Sequence, residues 1–468
     1  MAVTPAPHNR DDNSDKMFLQ QEGFAMNRQV LQSDGTYKDA AIAGMVGDGR
    51  VHSRVYTDPG IFELEIERIF SAAWIYVGHD SEVPNPGDYQ MRSIGRTPVL
   101  LVRGVDNAVR VLVNRCRHRG AQVCETESGN ARYFQCWYHG WTYDSTGALA
   151  GVTGEDAYGG RLDKKAMGLS PVPRVAAHRG FVFASLAPAG ESLAAFLGGA
   201  APIIDLMIDA SPVSEIRADG GTHKTEYLGN WKLVGMDGYH PHFVHASVMA
   251  AMRRNPEAGI GATHREDPFV DTARTRTRDL GHGHAMLDFR AHRIHQYEMH
   301  CAFLRNIKGG GDYIEAMHKA HGGERAPLLI ALGGDPHLGI FPNMQLINNQ
   351  IRIITPLAPG LTQVTMTAVR LGGVSEEMNA TRLRQHESFY GPAGAGSPDD
   401  AEIFERVQRG MAAEVNPWIE ISRGMEREQT DSDGSIVGLI SDEVPQRGMM
   451  RYWSELMSKP AASARGPA

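Results

Sequence analysis

The sequence predicts an α+β protein: a compact all-β stretch followed by a larger unit of helices and strands. Three observations predict it. From Tyr76 to Leu186, short β-rich runs (PVLLV, AVRVLVN, ARYFQCWY, GFVFASL) alternate with Gly, Pro and Asn punctuation. Residues 285–372 are again strand-rich: QLINNQIRIITPL reads as a hairpin with Asn348-Asn349 at its turn, and TQVTMTAVRL as a further strand. Beyond residue 374 the period becomes helical, in SEEMNATRLRQHESF and DDAEIFERVQRGMAAEV, with Ile403, Phe404, Val407 and Met411 on one face.

The remaining elements follow in order. Residues 1–50 read as a polar arm and a mixed segment. Asp58-Pro59 opens a helix, with Asp at the N-cap and Pro at the first helical position. Ile61, Phe62, Ile66, Ile69, Phe70 and Ala73 then recur at helical spacing. Residues 187–250 read as mostly helical, and the tail after Lys459 is small and polar.

Length and composition bound the function. A chain of 468 residues suggests two or three domains and can bury sizeable cores without staples. A net charge of −8 argues against a nucleic-acid surface, which needs a basic stripe. The N-terminal MAVTPAPHNRDDNSDK shows no apolar signal region. The most apolar run, Leu193–Ile204, holds Gly198, Gly199 and Pro202 and stops at Asp205, too short for a bilayer. The expected compartment is the cytoplasm, with no membrane partner. Four cysteines (Cys116, Cys124, Cys136, Cys301) are too few for a disulfide framework; clustered with His, they point to metal or catalysis.

Three of those cysteines and two histidines fall in NRCRHRGAQVCETESGNARYFQCWYHGWTY. Cys116-x-His118 is followed, after seventeen residues, by Cys136-x-x-His139. Two short loops each offering a thiolate and an imidazole suit zinc or an iron–sulfur cluster. A chance cluster, a structural Cys2His2 zinc site and a [2Fe–2S] cluster with two Cys on one iron and two His on the other all fit the spacing. The flanks discriminate. Each loop carries a glycine (Gly120, Gly140), which lets backbone N–H groups approach sulfur. Trp137, Tyr138, Trp141 and Tyr143 supply aromatic shielding.

CRHRG…CWYHGW resembles the Rieske signature of the ring-hydroxylating oxygenases, α (large, catalytic) subunit. The resemblance makes Cys116 and Cys136 ligands of the inner iron, and His118 and His139 ligands of the outer one. Cys124 lies outside that pattern and reads as a small buried residue.

A cluster alone only passes single electrons, so a second centre is expected downstream. GNWKLVGMDGYHPHFVH (229–245) supplies His240, His242 and His245, preceded by Asp237. Two His and a carboxylate on one face of an iron leave open positions for O2 and substrate. Spacing alone does not choose the pair: 242 and 245 are helical neighbours, 240 and 245 are not, and Pro241 disturbs a helix. The family pattern Asp-x-x-His-x-x-x-x-His matches Asp237, His240 and His245, making the two His iron ligands. It implies that Asp237 bridges the Rieske histidine of one subunit to the iron histidine of its neighbour. GPAGAGSPDDAEIFERVQ resembles the family's terminal motif, which makes Asp400 the third ligand and leaves Asp399 as a helix cap; without the resemblance, either acid reads as a cap. One departure stands out: only Val234, Gly235 and Met236 separate the NWKL start from Asp237, where the family has a longer stretch.

Among the 20 histidines, His264, His282, His284, His292, His295 and His300 read as surface or structural residues, with one or two free to line the pocket. GPAGAGS lacks the Gly-Lys-Ser/Thr ending of a phosphate loop, and no convincing GxGxxG unit is present, so electrons must arrive from another protein. Arg290, Arg293, Arg352 and Arg370 fall where pocket walls are expected. An inward arginine there could grip a substrate carboxylate bidentately; outward charge is the alternative for each.

The resemblance spans roughly residues 20–455. It implies an all-β Rieske [2Fe–2S] domain inserted in a helix-grip catalytic domain, an antiparallel sheet with helices. The expected division is an arm and catalytic-domain segment over 1–55, the Rieske domain over 56–186 and the mononuclear-iron domain over 187–468. The implied activity is dihydroxylation of an aromatic ring, an aromatic acid or arene, to a cis-dihydrodiol. O2 is the oxidant, and electrons come from a ferredoxin or an NAD(P)H-dependent reductase. The implied cofactors are the Rieske cluster and mononuclear Fe2+. The implied assembly is a homotrimer or α3β3, with a small β subunit. A Rieske monooxygenase or demethylase, and a zinc-stabilised binding or electron-transfer protein, are the alternatives.

Overall fold

The computed structural model describes residues 39–47, 49–237, 273–394 and 396–459. Helix α1 (Pro59–Glu65) begins as its sequence dictates. The Asp58 side chain accepts from the Gly60 and Ile61 N–H groups at 2.8 and 3.3 Å, and Pro59 fills the first position. A π-helical turn, Ile66–Phe70, continues it.

The all-β stretch forms three small sheets. Strands β1 (Ile75–His79), β9 (Arg174–His178) and β10 (Phe181–Ser185) make one, in the order β9-β10-β1. Strands β2 (Asp88–Ile94), β3 (Thr97–Arg103), β4 (Val109–Val113) and β5 (Ser128–Asn130) make the second, ordered β4-β3-β2-β5. The third is the meander β6 (Tyr133–Gln135), β7 (Thr142–Asp144), β8 (Leu149–Gly151). A core of Tyr89, Leu100, Leu112, Phe134, Trp141 and Tyr143 fills the space under the last two and includes Cys116 and Cys136.

The larger unit is built on a nine-stranded antiparallel sheet. Its strands are β11 (Thr222–Tyr227), β12 (Arg276–Gly281), β13 (His284–Asp288), β14 (Leu338–Ile340), β15 (Met344–Ile347), β16 (Gln350–Ala358), β17 (Leu361–Ala368), β18 (Gln429–Thr430) and β19 (Ile436–Leu439). The order is β11-β17-β16-β15-β14-β13-β12-β19-β18. The expected hairpin is present: Ile347 pairs with Gln350, and Asn348 takes a positive φ of 56° in the turn.

Across neighbouring strands Gln345 pairs with Arg352, Arg352 with Met366, and Met366 with His223, so these four share one face. Helix α2 (Trp231–Asp237) packs on that face, where Gln345 Nε2 donates to the Val234 carbonyl at 2.8 Å. The opposite face carries α3 (Arg290–His295), α4 (Tyr297–Arg305) and α5 (Gly310–Leu332), whose Cys301, Leu304, Tyr313, Met317, Leu329 and Ile330 join Leu346 and Ile351 in a second core. Helices α6 (Glu376–Tyr390), α7 (Ser397–Gly410) and α8 (Val444–Met457) complete the unit.

Three expectations need correction. Residues 290–332 are helical rather than strand-rich, because Cys301, Leu304, Met317 and their neighbours bury one side of each helix. Conversely, Thr222–Tyr227, within the stretch read as mostly helical, is an edge strand whose side chains alternate between water and the sheet. Phe404 on α7 and Met411 at its C-cap face the core but Ile403 is exposed, so the apolar stripe is narrower than the sequence suggests.

Candidate metal centres and substrate cavity

The two Cys/His loops are built alike. In the first, Cys116 N–H donates to the Ala121 carbonyl (2.7 Å) and Gly120 N–H to the Cys116 carbonyl (3.0 Å). In the second, Cys136 N–H donates to Trp141 O (2.8 Å) and Gly140 N–H to Cys136 O (2.9 Å). Gly120 and Gly140 have φ of 81° and 73°, left-handed values that a side chain would resist. Each loop therefore folds back tightly and presents its cysteine and histidine together.

The four side chains converge. Cys116 and Cys136 are both buried, with Cys116 within hydrogen-bonding reach of the Cys136 thiol, and the His118 and His139 rings lie 4.6 Å apart. Burial pushes the Cys136 thiol up, while the backbone N–H groups of Tyr138 and His139 draw it back by stabilising a thiolate. Desolvation, then His118 and Arg119, hold the His139 imidazole below its usual range, in the neutral form that ligates metal. His118 Nδ1 is buried without a hydrogen-bond partner among the described residues. Two soft thiols and two imidazoles with an orphaned buried nitrogen fit a Rieske cluster. The Tyr143 hydroxyl accepts from the Arg117 N–H at 3.0 Å and lies 3.2 Å from Cys116 Sγ, leaving its own proton aimed at the sulfur. Burial first, and then that contact, push its phenol up.

The shielding is narrower than expected. Trp141 and Tyr143 are buried, and Trp141 stacks on His118 with ring centroids 5.0 Å apart. Trp137, at 88% exposure, faces water, while Tyr138, also exposed, lays its ring against His139 with centroids 3.8 Å apart. Cys124 is the structural residue the sequence suggested: Asn114 brackets its backbone, accepting from its N–H at 3.0 Å and donating to its carbonyl at 2.7 Å.

The second set is described in part. Asp237 ends α2 by its backbone; His240, His242 and His245 lie outside the described residues. Asp400 sits in the first turn of α7, half-buried. The helix starts at Ser397 with Gly396 in the cap position, so Asp399 lies inside the first turn and is not the cap. What fixes the start of α2 was missed by the sequence reading. Glu65, fully buried, accepts from Trp231 Nε1 (2.8 Å), Lys232 Nζ (2.5 Å) and Trp453 Nε1 (2.7 Å), tying α1, α2 and α8 at one carboxylate. The signal was the Trp-Lys pair in GNWKL, an amphipathic dipeptide that needs a buried acceptor once packed.

A cavity of about 130 Å³ lies between α3–α5, α6 and the hairpin turn, with Arg293, His300, Asp335, Arg382, Phe389 and Tyr390 among its walls. Of the four arginines singled out by sequence, Arg293 lines it. Arg290 pairs with Asp288 (2.6 Å) and Arg370 with Glu376 (2.8 Å). Arg352 lies on the α2 face with its guanidinium 5.1 Å from the Tyr390 ring centroid. His284 is structural, as expected: Nε2 bonds the Phe196 carbonyl at 2.8 Å and Nδ1 accepts from Phe341 N–H at 3.1 Å.

Comparison with known proteins matches this arrangement to a family. The chain matches the Rieske [2Fe-2S] domain over residues 73–165 and the catalytic domain of the ring hydroxylating alpha subunit over residues 215–459. It is 33% identical to the anthranilate 1,2-dioxygenase large subunit of Acinetobacter baylyi, covering 80% of each chain. It is 30% identical to the toluate 1,2-dioxygenase subunit alpha of Pseudomonas putida, covering 88% of this chain and 91% of that one. Among solved structures, naphthalene 1,2-dioxygenase from Rhodococcus sp. bound to indole superposes with a TM-score of 0.73 at 26% identity, over 90% of this chain and 97% of that one.

Such a Rieske domain joined to a sheet-and-helix catalytic domain defines a terminal oxygenase component. The chain belongs to the family of aromatic ring-hydroxylating dioxygenase alpha subunits, and it is an oxidoreductase. The zinc-stabilised binding or electron-transfer alternative gives way to that membership. No helix among the described residues is long and apolar enough to cross a membrane.

Proposed function

We propose that this chain is the oxygenase component that dihydroxylates the ring of an aromatic acid, yielding a cis-dihydrodiol. The observation that carries the reading is the pair of matched loops that bring Cys116, His118, Cys136 and His139 together over a buried core. Those four residues hold the [2Fe–2S] cluster. His240, His245 and Asp400 hold a mononuclear Fe2+, a two-histidine, one-carboxylate set that leaves positions open. The cluster supplies single electrons, and the iron supplies activation of O2.

The chain's own residues do the rest. Tyr143 stabilises negative charge on Cys116 through its hydroxyl. The Glu65 tie fixes the start of α2 and so the helix that leads to Asp237, His240 and His245. Asp237 is a positioning residue: its carboxylate accepts hydrogen bonds from ligand imidazoles across a subunit boundary. Gln345, Arg352, Met366 and His223 share the sheet face that carries α2, so they stand on the side where the ring meets those ligands. The Rieske domain spans 56–186, sharing α1 with the catalytic core, and the catalytic domain spans 187–468.

Partners follow from the chemistry. Nothing in the sequence supplies a nicotinamide or flavin site, so a ferredoxin or NAD(P)H-dependent reductase delivers electrons. Exposed Trp137 and Tyr138 beside His139 offer an apolar face to a protein partner. The relatives are named as large or alpha subunits, which supports an oligomer completed by a small β subunit; a cytoplasmic place of work is part of the same proposal. The test is turnover of benzoates under labelled O2 with a reducing partner. Two labelled atoms in one product support the reading. One labelled atom would move the chain to monooxygenation, and absence of iron and acid-labile sulfide from the pure protein would end it.

A further inference from the structure

We propose that His223, His386 and Glu387 form a further metal site, holding one divalent transition ion of the zinc class. The site shares no residue with the sets assigned above to the cluster and to the mononuclear iron, so it stands apart from the oxygenase reading.

The three residues come from two elements. His223 lies on β11, at one edge of the nine-stranded sheet and on the face it shares with Met366 and Arg352. His386 and Glu387 lie in the last turns of α6, which closes at Gly391. Folding brings them together: one ring nitrogen of each histidine and a carboxylate oxygen of Glu387 all lie within 4.8 Å of one another. The two rings are 5.9 Å apart, centroid to centroid, and inclined by 44°. Donors that sit about 2.1 Å from one ion stand no more than about 4.2 Å apart. At most a small rotation of the long Glu387 side chain therefore completes the set.

Hydrogen bonding does not account for the pair. His223 Nε2 and His386 Nδ1 are buried and hydrogen-bond to nothing among the described residues. A buried ring nitrogen left unmet is costly, and here two occur beside one carboxylate. A single cation answers all three. Two imidazoles and a carboxylate are a zinc donor set that keeps a fourth position for water. The absence of a thiol from this set favours zinc-like ions over softer ones.

The electrostatics allow it. Burial first, then His223 and Arg352, hold the His386 imidazole down to about 4, in the neutral form that offers a lone pair. Arg352 opposes a cation, but its guanidinium is drawn over the Tyr390 ring, 5.1 Å from the centroid. Glu387 supplies the compensating charge. Its carboxylate folds back over the helix end, where a Cβ at Gly391 would stand 2.7 Å from Oε2. Glycine at 391 leaves that room. An ion held here ties the sheet's edge to α6, and α7, which carries Asp400, follows α6 directly.

The experiment equilibrates the iron-loaded oxygenase with Zn2+, desalts it, counts zinc and iron per chain, and follows thermal unfolding with and without zinc. The wild type should keep one zinc per chain with its iron unchanged, and its Tm should rise, because the ion binds only the folded state. His223→Gln and His386→Gln should each lose the zinc and the rise in Tm. Glu387→Gln should bind zinc more than about tenfold more weakly, the lower end of what losing even a ligand's supporting partner costs. Asp400→Asn, which disables the proposed iron site, should keep the zinc. Glu387 is exposed, so its variant decides the matter even if His386→Gln fails to fold. Several results overturn the proposal: no retained zinc, zinc gained only as iron is lost, zinc lost in Asp400→Asn, or uptake undiminished in a folded His223→Gln or Glu387→Gln protein.

Discussion

Lys232 Nζ lies 2.5 Å from Glu65 Oε1, and both side chains are fully buried. The ammonium is also surrounded by rings, 5.4 Å from the Tyr56 centroid and 5.0 Å from that of Trp231. Burial lowers the lysine's pKa, and Glu65 holds it up. This pair joins the helix at the start of the β domain to the helix that leads to the proposed iron ligands.

Breaking the pair on one side should be severe. Lys232→Met leaves a buried carboxylate compensated only by two indole N–H groups, and should cost about 3–5 kcal/mol. The double variant Glu65→Leu/Lys232→Met should lose less than the sum of its singles, because the two side chains are coupled. Urea denaturation of the three variants measures both quantities. A loss under about 1 kcal/mol for Lys232→Met would show that the charge is relieved by water.

Acid stability should depend on buried histidines. Burial holds His284 down to about 3, His386 to about 4 and His300 to about 4, against an ordinary value of 6.5. As pH falls below 6.5 the unfolded chain takes protons that the folded chain refuses, so the stability these groups contribute is lost between about pH 6.5 and their folded values. Each contributes a slope of at most about 1.4 kcal/mol per pH unit in that window. Replacing His300 with Gln should flatten the dependence of the urea midpoint between pH 6.5 and 4.5. An unchanged slope would mean that His300 is protonated in the folded protein.

Much of this was legible in the sequence, for identifiable reasons. The Cys/His spacing is local, so two loops of fixed length announced themselves without any tertiary knowledge. The Asp58-Pro59 start and the Asn348 turn are likewise local backbone chemistry. The misreadings were tertiary. Residues 290–332 took helical form because they bury one side against the sheet, and Thr222–Tyr227 became a strand because the sheet's edge was open. Glu65 meets Lys232 across 167 residues, and no pattern along the chain records that meeting.

Tyr143 should tune the cluster. Its hydroxyl, 3.2 Å from Cys116 Sγ, stabilises the more negative, reduced form. Tyr143→Phe removes one hydrogen bond of about 1 kcal/mol, equivalent to ~40 mV at 59 mV per tenfold for one electron. The reduction potential should fall by that order, read by titration of the Rieske absorbance, with iron and sulfide content unchanged. A potential that stays put would place the hydroxyl proton on another acceptor.

Asp237→Asn separates holding the metals from connecting them. The substitution is isosteric and sits at the end of α2, so the helix and the Glu65 tie should persist. Asn keeps a hydrogen-bond acceptor but loses the charge that makes the bond to an imidazole strong. Iron and sulfide content, the cluster's spectrum and its potential should all match the wild type. Steady-state turnover should fall by about tenfold to a hundredfold or more, the equivalent of one charge-assisted hydrogen bond. Binding of benzoate should be unaffected. Near-normal turnover with intact metals would remove Asp237 from the path between the two centres and return it to an ordinary helix end.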